Sequence, residues 1–136
     1  MLKWIKAFLV GRSQEVLVNG AKSKVTAVLS GIPQGSVLGP LLFVVYINDI
    51  LDGIKSSGLL FADDTKIFRT ITSKIDTREL QEDLTSLEQW SSKWSLDFNS
   101  EKCHILTLGK FENICCAYRY KIYDKELEHV YTEKDL

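Results

Sequence analysis

Eleven consecutive residues, Gly58-Leu59-Leu60-Phe61-Ala62-Asp63-Asp64-Thr65-Lys66-Ile67-Phe68, put two adjacent carboxylates between an apolar run and a second, partly apolar one. Strand-prone runs on either side of a short polar break predict a hairpin with the acid pair at its tip. Two like charges side by side repel, so folding alone gives little reason to place them there. A divalent cation gives a reason, because it neutralises both and takes hard oxygen ligands. Asp63 is therefore a candidate metal ligand, with Asp64 beside it.

The rest of the chain limits what can surround that hairpin. At 136 residues and 45% hydrophobic, there is one domain's worth of material, enough for a core. A formal net charge of −1 argues against a free-standing, strongly basic nucleic-acid binder. The charge is uneven, however: residues 1–48 carry Lys3, Lys6, Arg12, Lys22 and Lys24 against Glu15 alone. That front suits contact with a phosphate backbone on one side, or is plain solvated surface. Cys103, Cys115 and Cys116 form neither a disulfide framework nor a zinc spacing, and His104 has no matching half-site, so reduced intracellular thiols are expected. Residues 1–10 are too short and interrupted for a signal peptide, and the longest apolar stretch, 40–47, falls well short of the roughly 20 residues that span a bilayer. The expected location is intracellular, nucleus or cytoplasm, with no membrane partner.

Taken in order, Leu2, Ile5 and Leu9 have helical spacing, and Gly11 can end that helix. Residues 15–18 and 24–29 are strand-prone around Asn19-Gly20-Ala21-Lys22-Ser23, which predicts a hairpin with a loop of two or more residues. Three glycines and two prolines between Ser30 and Pro40 mark a shaped turn. A helix should then start between Ser36, as N-cap, and Pro40, and run to about Leu51 with its apolar opening turns buried. Asn48, Asp49 and Asp52 form a polar stripe near its end, as metal ligands or solvated acids. Asp76-Thr77-Arg78-Glu79 resembles a capping box. After it Leu80, Leu84, Leu87, Trp90 and Trp94 recur at helical spacing, with Glu79, Glu82, Asp83 and Glu88 on other faces. This predicts a helix over 76–95 whose tryptophans are core packing in preference to base-stacking platforms. Strands are expected over 103–108, 118–123 and 127–131, the last two around Asp124-Lys125. Residues 133–136 look like a cut end.

The block Ser30-Gly31-Ile32-Pro33-Gln34-Gly35-Ser36-Val37-Leu38-Gly39-Pro40-Leu41-Leu42-Phe43, then Tyr46-Ile47-Asn48-Asp49-Ile50, then Phe61-Ala62-Asp63-Asp64-Thr65, resembles the reverse transcriptase of non-LTR (LINE-type, jockey- or CR1-like) retrotransposons. Trp4-Ile5 with Phe8-Leu9 and Arg12 looks like that family's lead-in. Trp90-Ser91 with Trp94, Asn99-Ser100-Glu101-Lys102-Cys103 and Glu133-Lys134-Asp135-Leu136 look like its continuation. The resemblance implies an α+β fold: a partial polymerase palm spanning 1–136, with a small antiparallel sheet and an Asp-Asp hairpin packed on two main helices. It implies an RNA-directed DNA polymerase acting on RNA template, DNA primer and dNTP with two Mg2+ ions. Asp63 becomes a metal ligand and Asp64 the accessory acid. Phe61 and Ala62 shape the approach of the primer end. Pro33, Gln34 and Gly35 sit against the templating base and incoming nucleotide. Lys102 is either the lysine that meets the leaving pyrophosphate or a plain surface lysine.

One departure stands out. The family's first catalytic aspartate lies upstream of the lead-in, and no aspartate precedes Gly35 here. The fingers, first palm strand and thumb are also without counterpart, so the chain alone is expected to be inactive. An incomplete palm should also expose apolar surface and self-associate. The alternative is a catalytically silent, palm-like RNA- or protein-binding module.

Overall fold

The structure, a computed structural model, describes residues 1–109, 118–130 and 132. Two compact units, Met1–Asn48 and Asp49–Leu136, divide the chain. The first begins with α1 (Leu2–Leu9) and continues through β1 (Ser13–Gln14), β2 (Leu17–Val18), β3 (Ala21–Lys22) and β4 (Thr26–Ala27) to α2 (Leu38–Ile47). Trp4 stacks on Phe8 along α1, the i and i+4 positions of one helical face, with centroids 5.4 Å apart. β2 and β3 pair antiparallel with Val18 opposite Ala21, so Asn19 and Gly20 alone make the loop. Both loop residues have positive φ, the pattern that Asn-Gly favours in a type I′ hairpin. β1 and β4 prolong the same hairpin after a break at which Val16 N and O bond to Ser23.

Two expectations for α2 need correction. Leu41, Val44 and Val45 are 58%, 54% and 66% exposed, and only Gly39 and Ile47 of this helix are buried. The helix also stops at Ile47 instead of reaching Leu51. Beyond it Asp52 N donates to Asp49 O and Ile54 N to Leu51 O, three-residue closures that replace helical bonds. Asn48 and Asp49, poor helix-interior residues, sit where the helix gives way.

The second unit contains β5 (Ser57–Phe61), β6 (Asp64–Phe68), α3 (Lys74–Trp94), β7 (His104–Leu106), β8 (Lys121–Ile122), β9 (Lys125–Glu126) and β10 (Glu128–Val130). Its core joins Leu84 of α3 to Tyr120, Ile122 and Leu127, with Ile67, Leu80, Phe98, Cys103, Ile105, Tyr118 and Tyr123 packed around them. Burial holds the Cys103 thiol above its ordinary pKa, against the opposing charge of Lys125.

α3 is the element its periodicity announced, with Leu84, Leu87 and Trp90 buried and Leu80 and Trp94 half-buried. Trp90 and Trp94 pack at 6.4 Å in a tilted pair, and the Trp90 indole donates to Asp49 Oδ1 at 2.8 Å. Trp90 is thus a core residue and Asp49 its partner. The capping box is real but sits three residues earlier than expected. Ser73 is the N-cap and Asp76 the reciprocating N3 residue, accepting from Ser73 N at 2.8 Å. Asp76 also takes bonds from Thr72 N and Oγ1, which outcompete a start at Asp76. Among the described residues the strands form five two-stranded ladders, not one sheet. Four are antiparallel, and β7 with β10 is parallel, against an all-antiparallel expectation. β9 also separates the two strands expected over 118–131. Cys115, Cys116, Tyr131 and residues 133–136 lie outside the described residues. No helix among those described is long and apolar enough to cross a membrane.

Candidate active site

The acid pair occupies the tip of the β5–β6 hairpin, in a register more specific than its sequence implied. Five cross-strand pairs run from Ser57 opposite Phe68 to Phe61 opposite Asp64. Only Ala62 and Asp63 are left as the loop, and Asp64 is the first paired residue of β6. The backbone has positive φ at Ala62 (52°) and not at Asp63, the φ pattern of a type II′ turn. Strand alternation puts Phe61 and Asp64 on one face with Leu59, Lys66 and Phe68, all exposed, while Gly58, Leu60, Thr65 and Ile67 are half-buried. Both carboxylates are exposed, and neither takes a hydrogen bond or ion pair from another described residue. They are hard oxygen donors at a turn open to solvent. Among the described residues no group of three or more acids, histidines or cysteines could hold a metal ion.

Pro33, Gln34 and Gly35 lie in the first unit, before α2. Pro33 O accepts from Ser36 N at 3.4 Å and from Ser36 Oγ at 2.7 Å, closing a four-residue turn. Gly35 has φ +77°, at the position where a type II turn requires a residue without a Cβ penalty. Gln34 stands exposed at the corner. Ser36 Oγ also accepts from Gly39 N at 3.0 Å, so Ser36 does cap α2, although the residue at the helix boundary is Val37. A Cβ on Gly39 would come within 3.0 Å of both Pro33 O and Ser36 Oγ, so this glycine lets the helix seat beneath the turn.

Lys102 is exposed in the turn 99–102, which Lys102 N closes onto Asn99 O at 2.9 Å. Its ammonium makes no ion pair among the described residues. Asp52 is exposed and Asp49 is engaged by Trp90, so the acids that follow α2 form no site with the hairpin pair.

Several residues around these loops have contacts that the sequence alone did not assign. Arg12 donates from Nε to Leu9 O at 2.8 Å and from its terminal nitrogen to Ser30 O and Gly31 O, clipping the end of α1 to the entry of the Pro33–Gly35 turn. Asp83, expected on a solvent face, is only 1% exposed. Its two oxygens accept from Lys55 N at 2.8 Å and Ser56 N at 2.9 Å, immediately before β5. Arg69, immediately after β6, pairs with Glu79 and lies 3.7 Å from Asp76 Oδ1. A signal for Asp83 was available: at about 100° per residue it falls between Leu87 and Trp90 on the helical wheel.

The family model for reverse transcriptase (RNA-dependent DNA polymerase) matches residues 1–131. The chain is 34% identical over 120 residues to the RNA-directed DNA polymerase from mobile element jockey of Drosophila melanogaster, covering 82% of this chain and 13% of that protein. It is 33% identical over 116 residues to the jockey polymerase of Drosophila funebris, covering 79% and 13%. It is 34% identical over 105 residues to the probable RNA-directed DNA polymerase from transposon X-element of Drosophila melanogaster, covering 72% and 12%. The chain therefore spans about an eighth of the length of these curated relatives. No solved structure matches it.

Proposed function

Because the chain belongs to the reverse transcriptase (RNA-dependent DNA polymerase) family, we propose that it forms part of the palm of a retrotransposon polymerase, which extends a DNA primer on an RNA template with deoxynucleoside triphosphates. The observation that carries this reading is the exposed, unpartnered Asp63 and Asp64 at a two-residue turn, inside the matched region. Asp63 is assigned as metal ligand and Asp64 as accessory acid. Pro33, Gln34 and Gly35 are assigned to the templating base and incoming nucleotide, which suits an exposed amide on a turn whose glycine admits close backbone approach. Phe61 and Ala62 set the wall and bend of the hairpin where the primer end arrives, and Lys102 offers a cation to the leaving pyrophosphate.

In kind, the two carboxylates fit a hard divalent ion such as Mg2+. In number they fall short, since no third ligand joins them among the described residues. A pair of such ions roughly 3.5–4 Å apart, when bound in a complete site, activates the primer hydroxyl and stabilises charge on the transferring phosphate. The contribution of this chain is to bind and orient. On this reading the isolated chain, with no third ligand beside the two carboxylates among the described residues, does not extend a primer. The exposed apolar residues of α2 favour self-association of the isolated chain.

Mn2+ titration of the 15N-labelled chain tests the assignment. Paramagnetic broadening should centre on residues 61–65 and vanish in Asp63→Ala. In parallel, a Mg2+-dependent primer-extension assay should show no incorporation. Broadening that survives Asp63→Ala removes Asp63 from the site, and incorporation abolished by Asp63→Ala overturns the inactivity of the isolated chain.

A further inference from the structure

The hairpin that carries Asp63 has two ends, and both are tied to one helix. Entering β5, Lys55 N and Ser56 N donate to the two oxygens of Asp83. These amides precede the ladder, which starts at the Ser57–Phe68 pair, so no strand partner satisfies them. Leaving β6, Arg69 pairs with Glu79, and Asp76 is close by. Glu79 and Asp83 are four residues apart on α3 and so lie on neighbouring turns of one face. Asp83 is buried, which makes its anchoring less accessible to water than an exposed ion pair. Lys55 adds an outer contact, since its ammonium pairs with Glu82 at 2.8 Å.

We propose that Asp83 and Glu79 are positioning residues for the Asp63-Asp64 turn: one helical turn of α3 grips both feet of the hairpin and sets the bearing of its tip. This rests on the assignment of Asp63 and Asp64 to the metal site. The geometry makes such a grip consequential. At about 3.4 Å per residue, the five-residue strands put the tip about 15 Å from feet that stand only about 5 Å apart. Slack at one foot is thus magnified about threefold at the tip. Functional constellations tolerate about 0.5 Å of misplacement, so about 0.2 Å of play at a foot already reaches that limit. Exposed Ala62, Asp63 and Asp64 have no described side-chain partner at the tip to absorb it.

The full chain with Asp83→Asn, and separately Glu79→Gln, tests this by NMR. In Asp83→Asn the side-chain amide would turn its own donor toward one of two backbone donors, releasing that foot. The amide signals of residues 62–65 should broaden or double, and Mn2+ affinity at the tip should fall threefold or more. Amides near Leu84 and Leu87 should keep their protection. Unchanged tip signals and affinity in a folded Asp83→Asn chain overturn the proposal. If the wild-type chain fails to bind Mn2+, the metal assignment is wrong, and the amide signals of 62–65 still decide whether Asp83 positions the tip. If Asp83→Asn does not fold, wild-type amide exchange in dilute urea decides instead. Amides 55–56 and those of β5 and β6 should open together, before α3. Hairpin amides that stay protected after 55–56 exchange freely would overturn the grip.

Discussion

Replacing Tyr123 with phenylalanine deletes one oxygen atom that two other segments share. Tyr123 sits at positive φ in the turn between β8 and β9, and its ring meets Phe98 at 6.5 Å. Its hydroxyl bonds to Ser91 Oγ on α3 and accepts from Phe98 N at 3.1 Å. Ser91 is fully buried, and its remaining contact, Asp97 Oδ1, is 3.5 Å away. The substitution therefore strands a backbone donor and weakens a buried hydroxyl. A net hydrogen bond contributes about 1 kcal/mol, and a buried donor left unsatisfied costs about 1–3 kcal/mol. Tyr123→Phe should destabilise the second unit by about 2–3 kcal/mol. With a urea slope of about 1.5 kcal/mol/M for a unit of this size, the midpoint should fall by about 1.5 M. The assay is equilibrium urea unfolding in a Trp4→Phe background, so that emission reports Trp90 and Trp94 of the second unit. A double-mutant cycle with Ser91→Ala should recover a coupling of about 1 kcal/mol. A midpoint shift below about 0.3 M at unchanged slope, or zero coupling, refutes the sharing of that oxygen.

Two further outcomes follow from the anchoring contacts. Asp76 is held well below the ordinary carboxylate range, chiefly by the Thr72 amide and then by the hydroxyls of Thr72 and Ser73. A carboxyl with a depressed folded pKa stabilises the fold fully above its unfolded value, about 3.9, and that stabilisation is lost as pH falls through the folded value. The protection of the Thr72 and Ser73 amides, taken relative to the unfolded-chain exchange rate at each pH, should therefore fall on acidification below about pH 4, whereas Asp76→Asn should show low protection at every pH. Arg12→Met should lower the stability of the first unit by about 1 kcal/mol, since the carbonyls it releases can be rehydrated. Limited proteolysis should then cut residues 29–35 faster, and an unchanged cleavage rate would show that Arg12 does not hold that loop.

How far these contacts were legible in the sequence depends on their range. The hairpin around Asp63 was legible because strand-prone apolar runs flank a short polar break, and the register followed once the loop was known to hold two residues. The same is true of Asn19-Gly20, whose turn chemistry admits a two-residue loop. The α3 cap was ambiguous by three residues, since Ser73 to Asp76 and Asp76 to Glu79 both satisfy the pattern. Thr72, just outside the box, settled it by adding two bonds to Asp76. Asp83 escapes a reading in which charge signals solvent, although its angular position lies within the apolar arc. The parallel pairing of β7 with β10 joins segments more than twenty residues apart and has no local signature. The exposed α2 face departs from the rule that an all-apolar helix is buried, and nothing in residues 38–47 themselves signals that departure.

α3 meets its neighbours in a way that has an evolutionary corollary. Asp83 grips the amides of Lys55 and Ser56, Gln81 grips both N and O of Lys121, and Glu88 takes the amide of Tyr123. In each of these bonds the helix contributes a side chain and the partner contributes main chain, although Lys55 and Tyr123 add side-chain contacts of their own to Glu82 and Ser91. Main-chain groups are the same in every residue but proline, so these bonds place little demand on the identity of the residues that supply the backbone. For these bonds the burden of invariance falls on Gln81, Asp83 and Glu88. A saturation library of this chain should accept most residues except proline at exposed position 121, while losing folded protein at those three helix positions.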